Sequence, residues 1–239
     1  MSIFFTGINQ GSGKTIIVSG IAAVMQSLGY RTGIYKPVQT GAIDKGNYLV
    51  SPDLDFAAKL DYNITTHATY LLTSNCTPAA AAEIERVVIN IDDIINDYNI
   101  LAKNTDVLLV EGTGGLLTPL KENLFNIHIP LLLKIPVIFI VTPSNDTLNT
   151  LLNELNTANK SGLDIIGIII NKFPLQSKNS EITTFISVLE KYGNVKILGT
   201  IRYFKDKIFK TDELFTEILN SINLQEILKM KIPKLNLDY

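Results

Sequence analysis

Residues 2–15 read Ser2-Ile3-Phe4-Phe5-Thr6-Gly7-Ile8-Asn9-Gln10-Gly11-Ser12-Gly13-Lys14-Thr15, and this stretch decides the fold. A short apolar run enters a glycine-rich turn, which opens into Thr15–Leu28, a stretch of apolar and small residues with helical spacing. Strand, glycine turn and helix in that order form the setting of a phosphate loop. Backbone N–H groups of the turn and of the helix N-terminus can surround phosphate oxygens, Lys14 can reach the β- and γ-phosphates, and the Thr15 hydroxyl can bind Mg2+. In one respect the loop departs from the general pattern. The usual first glycine falls at Ile8, and Gly7 lies one residue earlier, which makes the loop an extended one. Nucleotide binding follows; the acceptor of the phosphoryl group does not, because this loop serves many chemistries.

Beyond the loop, short runs of apolar residues recur at Thr32–Tyr35, Asp106–Val110, Pro136–Val141, Ile165–Ile170 and Val195–Leu198. Between them, Ile91–Leu101, Thr147–Ser161 and Glu181–Tyr192 have helical spacing, and Gly29, Gly162 and Gly193 stand just past three helix ends. Continuously apolar strands separated by helices predict an α/β fold of three layers, a doubly wound, mostly parallel sheet with helices on both faces. One domain over 1–239 is the expectation at this length. Gly41–Pro78 has weak periodicity apart from a short helix at Asp53–Leu60 and reads as a long site-building loop. The longest apolar stretch, Ile127–Val141, is interrupted by His128, Pro130, Lys134 and Pro136 and is shorter than the roughly 20 residues of a membrane span, so it reads as a buried strand.

A net charge of −2 offers no basic field for nucleic acid, so neither nucleic acid nor membrane is expected as a partner. The single cysteine, Cys76, cannot close a disulfide within the chain, and the start lacks a charged region followed by a long apolar one, so the cytoplasm is the expected location. His67 and His128 have no partners at metal-ligand spacing and read as ordinary surface or polar-core residues, and Cys76 as a packed small side chain. The tail Lys229–Tyr239 reads as a packed or frayed terminus.

Two further strand ends carry chemistry. Tyr35-Lys36-Pro37-Val38-Gln39-Thr40-Gly41 puts a second lysine at the carboxyl edge of the sheet, where an ammonium neutralises charge on a transferred phosphoryl group and holds an anionic acceptor. Glu111 closes the strand Asp106–Val110 and precedes Gly112-Thr113-Gly114-Gly115, the place where phosphate-loop enzymes put a metal-linked acid. Asp53 completes an oxygen shell with Thr15 and Glu111; Asp55 is a rival for that role, and a helix N-cap is the alternative for Asp53.

Gly7…Gly13-Lys14-Thr15, Tyr35-Lys36-Pro37-Val38-x-Thr40-Gly41 and Val110-Glu111-Gly112-x-Gly114-Gly115-x-x-Thr118-Pro119 resemble the dethiobiotin synthetase family in order and spacing. Leu148-Asn149, Ile170-Asn171-Lys172 and Leu198-Gly199-Thr200-Ile201 look like its later elements, so the resemblance covers most of 2–205. It implies a homodimer that takes 7,8-diaminononanoate, CO2 (or bicarbonate) and ATP with Mg2+. One amine captures CO2 as a carbamate, ATP phosphorylates it, and the second amine closes a ureido ring on the mixed anhydride. By the same resemblance Lys36 and Lys14 are catalytic, and Thr40 and Lys36 meet the substrate. Thr15, Asp53 and Glu111 bind the metal. The nucleotide is lined by Gly11, Ser12, Gly13, Lys14, Thr15, Ile16, Asp53, Glu111, Gly112, Thr113 and Gly114, with Asn171, Lys172, Ile201, Arg202 and Tyr203 along the adenine.

This chain departs from the family pattern at Asn9, Gln10, Ala79, Asp146, Thr150 and Arg202. The helix that begins near Asp146 receives the substrate carboxylate in the family, and an acid there opposes an anion. The rival function is that of a partitioning or septum-site switch ATPase, which binds protein or DNA partners. Those proteins share the doubly wound sheet but carry an early loop lysine where this chain has Asn9, and they have no counterpart to Lys36-Pro37. Amidating synthases of cobyrinic acid need a glutaminase domain as well, for which 239 residues leave no room.

Overall fold

Strands that are apolar at every position have to be covered on both faces, and alternate side chains along each strand supply the two covered surfaces. The computed structural model describes residues 1–8, 10–173, 180–203, 211–230 and 232, with the backbone alone at 145 and 180–183. Strands β1 (Ser2–Thr6), β2 (Thr32–Thr40), β3 (Thr65–Leu72), β4 (Val107–Glu111), β5 (Val137–Val141), β6 (Ile165–Phe173) and β7 (Ile197–Arg202) form one sheet. Its order is β7-β6-β5-β1-β4-β2-β3, and every adjacent pair is parallel.

Helices α1 (Lys14–Ser27), α2 (Pro52–Leu60), α8 (Thr211–Ser221) and α9 (Leu224–Leu228) cover one face, packing on Ile3, Phe5, Leu109, Ile138, Ile140 and Ile169. Helices α3 (Pro78–Glu85), α4 (Ile91–Asn104), α5 (His128–Leu133), α6 (Asn145–Lys160) and α7 (Ser180–Tyr192) cover the other, over Phe4, Val110, Phe139, Ile168 and Ile170. Neighbours such as Phe4 and Phe5, or Phe139 and Ile140, thus belong to opposite cores. This is the three-layer, doubly wound arrangement expected from the pattern.

Three expectations are corrected. Gly41–Pro78 is not a loop throughout, since Thr65–Leu72 is the edge strand β3, in register with β2 from Gly33↔Thr65 to Thr40↔Leu72. An edge strand is half exposed and so lacks a continuous apolar run. Its polar residues are satisfied sideways: Thr69 and His67 both hydrogen-bond Asp97 Oδ2 of α4 at 2.8 Å, and the Tyr35 hydroxyl meets Thr69 Oγ1 at 2.5 Å. Ile127–Val141 is not one strand. His128 Nδ1 accepts the Phe125 N–H (2.9 Å) at the start of α5, Lys134 ends that helix at φ 53°, and β5 follows. Finally, β2 runs on from Tyr35 to Thr40. Its pairing with β4 ends at Tyr35↔Val110, so Lys36-Pro37 continues along the edge beyond the central strands. Pro37, which has no N–H to give, is tolerated there.

Candidate functional site

The seven strands of the central sheet being parallel, the loops after β1, β2 and β4 leave from one carboxyl edge, where ligands bind in open α/β sheets. The loop after β1 ends at Gly13, the N-cap of α1, with φ 87° and no side-chain cap; the first turn carries no acid either. No side chain caps the N–H groups of the helix start, and the helix dipole favours an anion there. The buried Ser12 hydroxyl likewise has no hydrogen-bond partner among the described residues. Gly7 N–H donates to Gly114 O (3.2 Å), tying this loop to the turn after β4. An expectation attached to Asn9 lies outside the described residues.

At the end of β2 the buried Lys36 ammonium donates to Glu111 Oε1 (2.8 Å) and to Asp53 Oδ2. Thr15 Oγ1 donates to the same Glu111 oxygen at 2.9 Å. Four residues from four elements therefore converge on one point. Burial alone would discharge Lys36, but Glu111 and then Asp53 outweigh it and hold its pKa above the ordinary lysine value. Burial pushes the Asp53 carboxyl up, and Lys36, Thr15 and Lys14 more than reverse this, so that it titrates below its usual range. Lys14 goes the other way: burial, with Lys36 adding repulsion, lowers it to about 8 against the pull of Glu111, Asp53 and Glu154.

The two acids of α2 differ in their contacts. Ser51, not Asp53, caps α2, its hydroxyl accepting the Leu54 N–H at 3.2 Å, while Asp55 pairs on the surface with Lys59 at 2.6 Å. Asp53 alone of the two turns inward.

A cavity of about 410 Å³ opens over this cluster. Of the residues expected at a nucleotide and substrate site it is lined by Gly11, Gly13, Lys14, Thr15, Ile16, Lys36, Thr40, Asp53, Glu111, Thr113, Gly114 and Lys172. Ser12 and Gly112 lie within the two loops but not on its wall, and Asn171 is buried behind Gly13. The structure does not bring Ile201, Arg202 and Tyr203 to it. Ile201 is wholly buried in the core, and Arg202 engages Glu217 (Nε to Oε2 3.2 Å) at a second cavity lined with Asp212 and Glu213. The Tyr203 N–H joins Phe173 O at 2.8 Å. Cys76 is half-buried against the core, as expected.

Three residues were missed. Gln39 and Asn75 line the cavity, Gln39 being held by the Ser51 hydroxyl at 2.6 Å. Glu154 is a buried acid on α6 whose Oε2 accepts the Leu116 N–H at 3.0 Å, and whose Oε1 lies 2.3 Å from where a side chain on Gly115 would begin. It shares the buried face of α6 with Leu151, Leu155 and Ala158, and that spacing was the available signal.

A family model described as an AAA domain matches residues 1–208. The ATP-dependent dethiobiotin synthetase BioD of Anoxybacillus flavithermus is 34% identical over 200 residues, covering 83% of this chain and 90% of the relative. That of Caldicellulosiruptor saccharolyticus is 30% identical over 219 residues, 89% of each. A chain of the MinC:MinD cell division protein complex of Aquifex aeolicus superposes with a TM-score of 0.63 at 14% identity over 97% of both chains. A ParA family ATPase from Chlorobium tepidum gives 0.58 at 17% identity, covering 92% of this chain and 90% of the other. At such identities these two structures speak for the fold alone. With the loop, the lysine-proline strand end and the acid-glycine turn assembled on one edge, and with relatives matched over nearly their whole length, the chain belongs to the family of ATP-dependent dethiobiotin synthetases.

Proposed function

We propose that the protein makes dethiobiotin in biotin biosynthesis, using ATP to close a ureido ring on 7,8-diaminononanoate and CO2. The observation that carries this reading is Lys36, an ammonium held charged and buried at the β2 end between Glu111 and Asp53, beside the phosphate loop. A phosphate loop alone suits any nucleotide hydrolase. A second fixed cation facing it suits an anionic acceptor.

An ammonium has three N–H bonds, and Lys36 spends two of them on Asp53 and Glu111, leaving one for a carbamate oxygen. The amine of the substrate attacks CO2 and loses a proton to give the carbamate. A carbamate oxygen then attacks the γ-phosphorus and ADP leaves. The second amine attacks the carbamoyl carbon, expelling phosphate and closing the ring. No protein nucleophile takes part. Lys14, with the N–H groups of Gly11 to Ile16 and the turn at Glu111 to Gly114, holds the triphosphate, and Thr40 meets the diamine. Asn171 and Lys172 belong to the same nucleotide site.

The acceptors near Lys36 fit Mg2+, which takes oxygen ligands and keeps several waters and phosphate oxygens of its own. Thr15, Asp53 and Glu111 are the residues that would hold it, and the chemistry it supplies is neutralisation of charge on the phosphates. The reading extends to one domain over 1–239, a homodimer and a cytoplasmic location. No helix among the described residues is long and apolar enough to cross a membrane.

Purified protein given ATP, Mg2+, bicarbonate and 7,8-diaminononanoate is expected to yield dethiobiotin by mass spectrometry, with one ADP per product. Lys36→Ala should lower kcat by about a thousandfold, since one lost donor at developing charge costs roughly 10²–10³. ATP turnover indifferent to the diamine would sink the reading and leave a nucleotide switch in its place.

A further inference from the structure

Behind the turn that follows β4 lies Asn126, a buried amide in none of the sequence motifs. Pro119–Lys121 and Leu124–Phe125 pair antiparallel, with Asn123 at φ 57° in the bend between them, and this hairpin folds Asn126 back under the turn. The Asn126 N–H donates to Thr118 O at 2.9 Å and the Ile127 N–H to Leu116 O at 2.8 Å, so the backbone that carries the amide is fixed on both sides. Gly112 leaves room for it: a Cβ there would lie 2.7 Å from Asn126 Nδ2.

The peptide unit between Gly115 and Leu116 is engaged at both ends. Gly115 O accepts from Asn126 Nδ2 at 3.1 Å and from the Thr118 N–H at 3.2 Å, and the Leu116 N–H donates to Glu154 Oε2. The unit between Gly114 and Gly115 is engaged at both ends too, Gly114 O by the Gly7 N–H and the Gly115 N–H by Thr118 Oγ1 at 3.0 Å. The unit between Thr113 and Gly114 differs. Its carbonyl accepts from Asn126 Nδ2 at 3.3 Å, while the Gly114 N–H has no hydrogen-bond partner among the described residues, and Gly114 lines the cavity over Lys36 and Glu111.

We propose that Asn126 is a positioning residue, which through the Thr113 carbonyl aims the Gly114 N–H into the cavity as a donor to the triphosphate. In a trans peptide the C=O and N–H point opposite ways, so a carbonyl held back toward Asn126 turns the next N–H toward the ligand. A side chain of similar size without a donor would leave two carbonyls facing it unpaired, and the Thr113–Gly114 unit would lose its fixed orientation. This role rests on the nucleotide-binding part of the reading above and deepens it.

The test is made on the full chain with Mg2+, well below the melting temperature. In the unaltered protein ATP is expected to move the Gly114 amide proton resonance downfield, as a new hydrogen bond to phosphate does. Asn126→Leu keeps the bulk and the charge and removes the donor. It is expected to raise the Kd for ATP about tenfold by calorimetry and to abolish most of the movement at Gly114. If the leucine variant does not fold, Asn126→Ser, which admits water to the two carbonyls, should show the same two changes. A lower Tm with the Kd for ATP and the movement at Gly114 both unchanged would make Asn126 a purely structural residue and overturn the proposal. So would a Gly114 resonance that stays in place in the unaltered protein although ATP binds. Failure of the unaltered protein to bind ATP at all would overturn the nucleotide reading, and this inference with it.

Discussion

Glu154 shows what one buried side chain does to the pH dependence of the whole chain. Burial is the largest influence on it and raises its pKa from 4.5 to about 7, against the Leu116 N–H and the charge of Lys14. In the unfolded chain the same group ionises near 4.5. Between those values Glu154 is protonated in the folded chain and ionised in the unfolded one, so its contribution to stability is greatest below 4.5, falls as pH rises toward 7 and stays lower above it. The full difference is about 3 kcal/mol. Glu154→Gln keeps an oxygen for the Leu116 N–H and cannot ionise. It is expected to melt several degrees above the unaltered protein at pH 8, with the gap closing toward pH 5. Parallel melting curves across pH would show that Glu154 carries no such penalty. The sequence made Lys14, Thr15, Lys36 and Glu111 legible because each follows a strand end in a motif with a fixed spacing. Glu154 stands in no motif, and Asn75 reaches the cavity from a loop, so neither had a local signal of chemistry.

The elements were legible in proportion to their burial. Strands in the middle of the sheet carry unbroken apolar runs and are legible to within a few residues, whereas β3 at the edge is half exposed and its polar side chains hide it. Helix α6 was foreseen, and its start carries a consequence for the substrate. Ser144 and Thr147 form a capping box, Thr147 N–H to Ser144 Oγ at 3.2 Å and Ser144 N–H to Thr147 Oγ1 at 2.9 Å. Asp146 adds an exposed carboxylate in the first turn, where the positive end of the helix favours it. If the carboxylate of the diamine docks here, as the family resemblance implies, it meets a capped terminus with an acid beside it. Charges at such a position are worth about 0.3–1 kcal/mol. Asp146→Asn is therefore expected to lower KM for the diamine two- to fivefold and leave kcat and KM for ATP unchanged. An unaltered KM for the diamine would place its carboxylate elsewhere.

For the whole molecule, the cavity matters because it is walled by pieces that the sheet holds only at their bases: the loop after β1, the ends of β2 and β6, the start of α2 and the turn after β4. Each is linked to the next by hydrogen bonds between residues distant in sequence, Gly7 to Gly114, Thr15 and Lys36 to Glu111, Lys36 to Asp53, and Lys172 to Gly11. A ligand that fills the cavity binds only when all are in place, so its binding energy becomes folding energy. At a hundred times its Kd, ATP with Mg2+ is expected to add about 2.7 kcal/mol, a rise in Tm of roughly 5–10 °C for a chain of this size. The charge of the site sets how this depends on magnesium. Asp53 and Glu111 bring two carboxylates to a triphosphate, and the Lys36 ammonium is bonded to both. With EDTA replacing Mg2+ the rise should therefore shrink by more than half, and in Asp53→Asn the difference between the two conditions should largely vanish. An equal rise with and without Mg2+ would mean that these carboxylates take no part in nucleotide binding, and the metal shell assigned to Thr15, Asp53 and Glu111 would have to be abandoned.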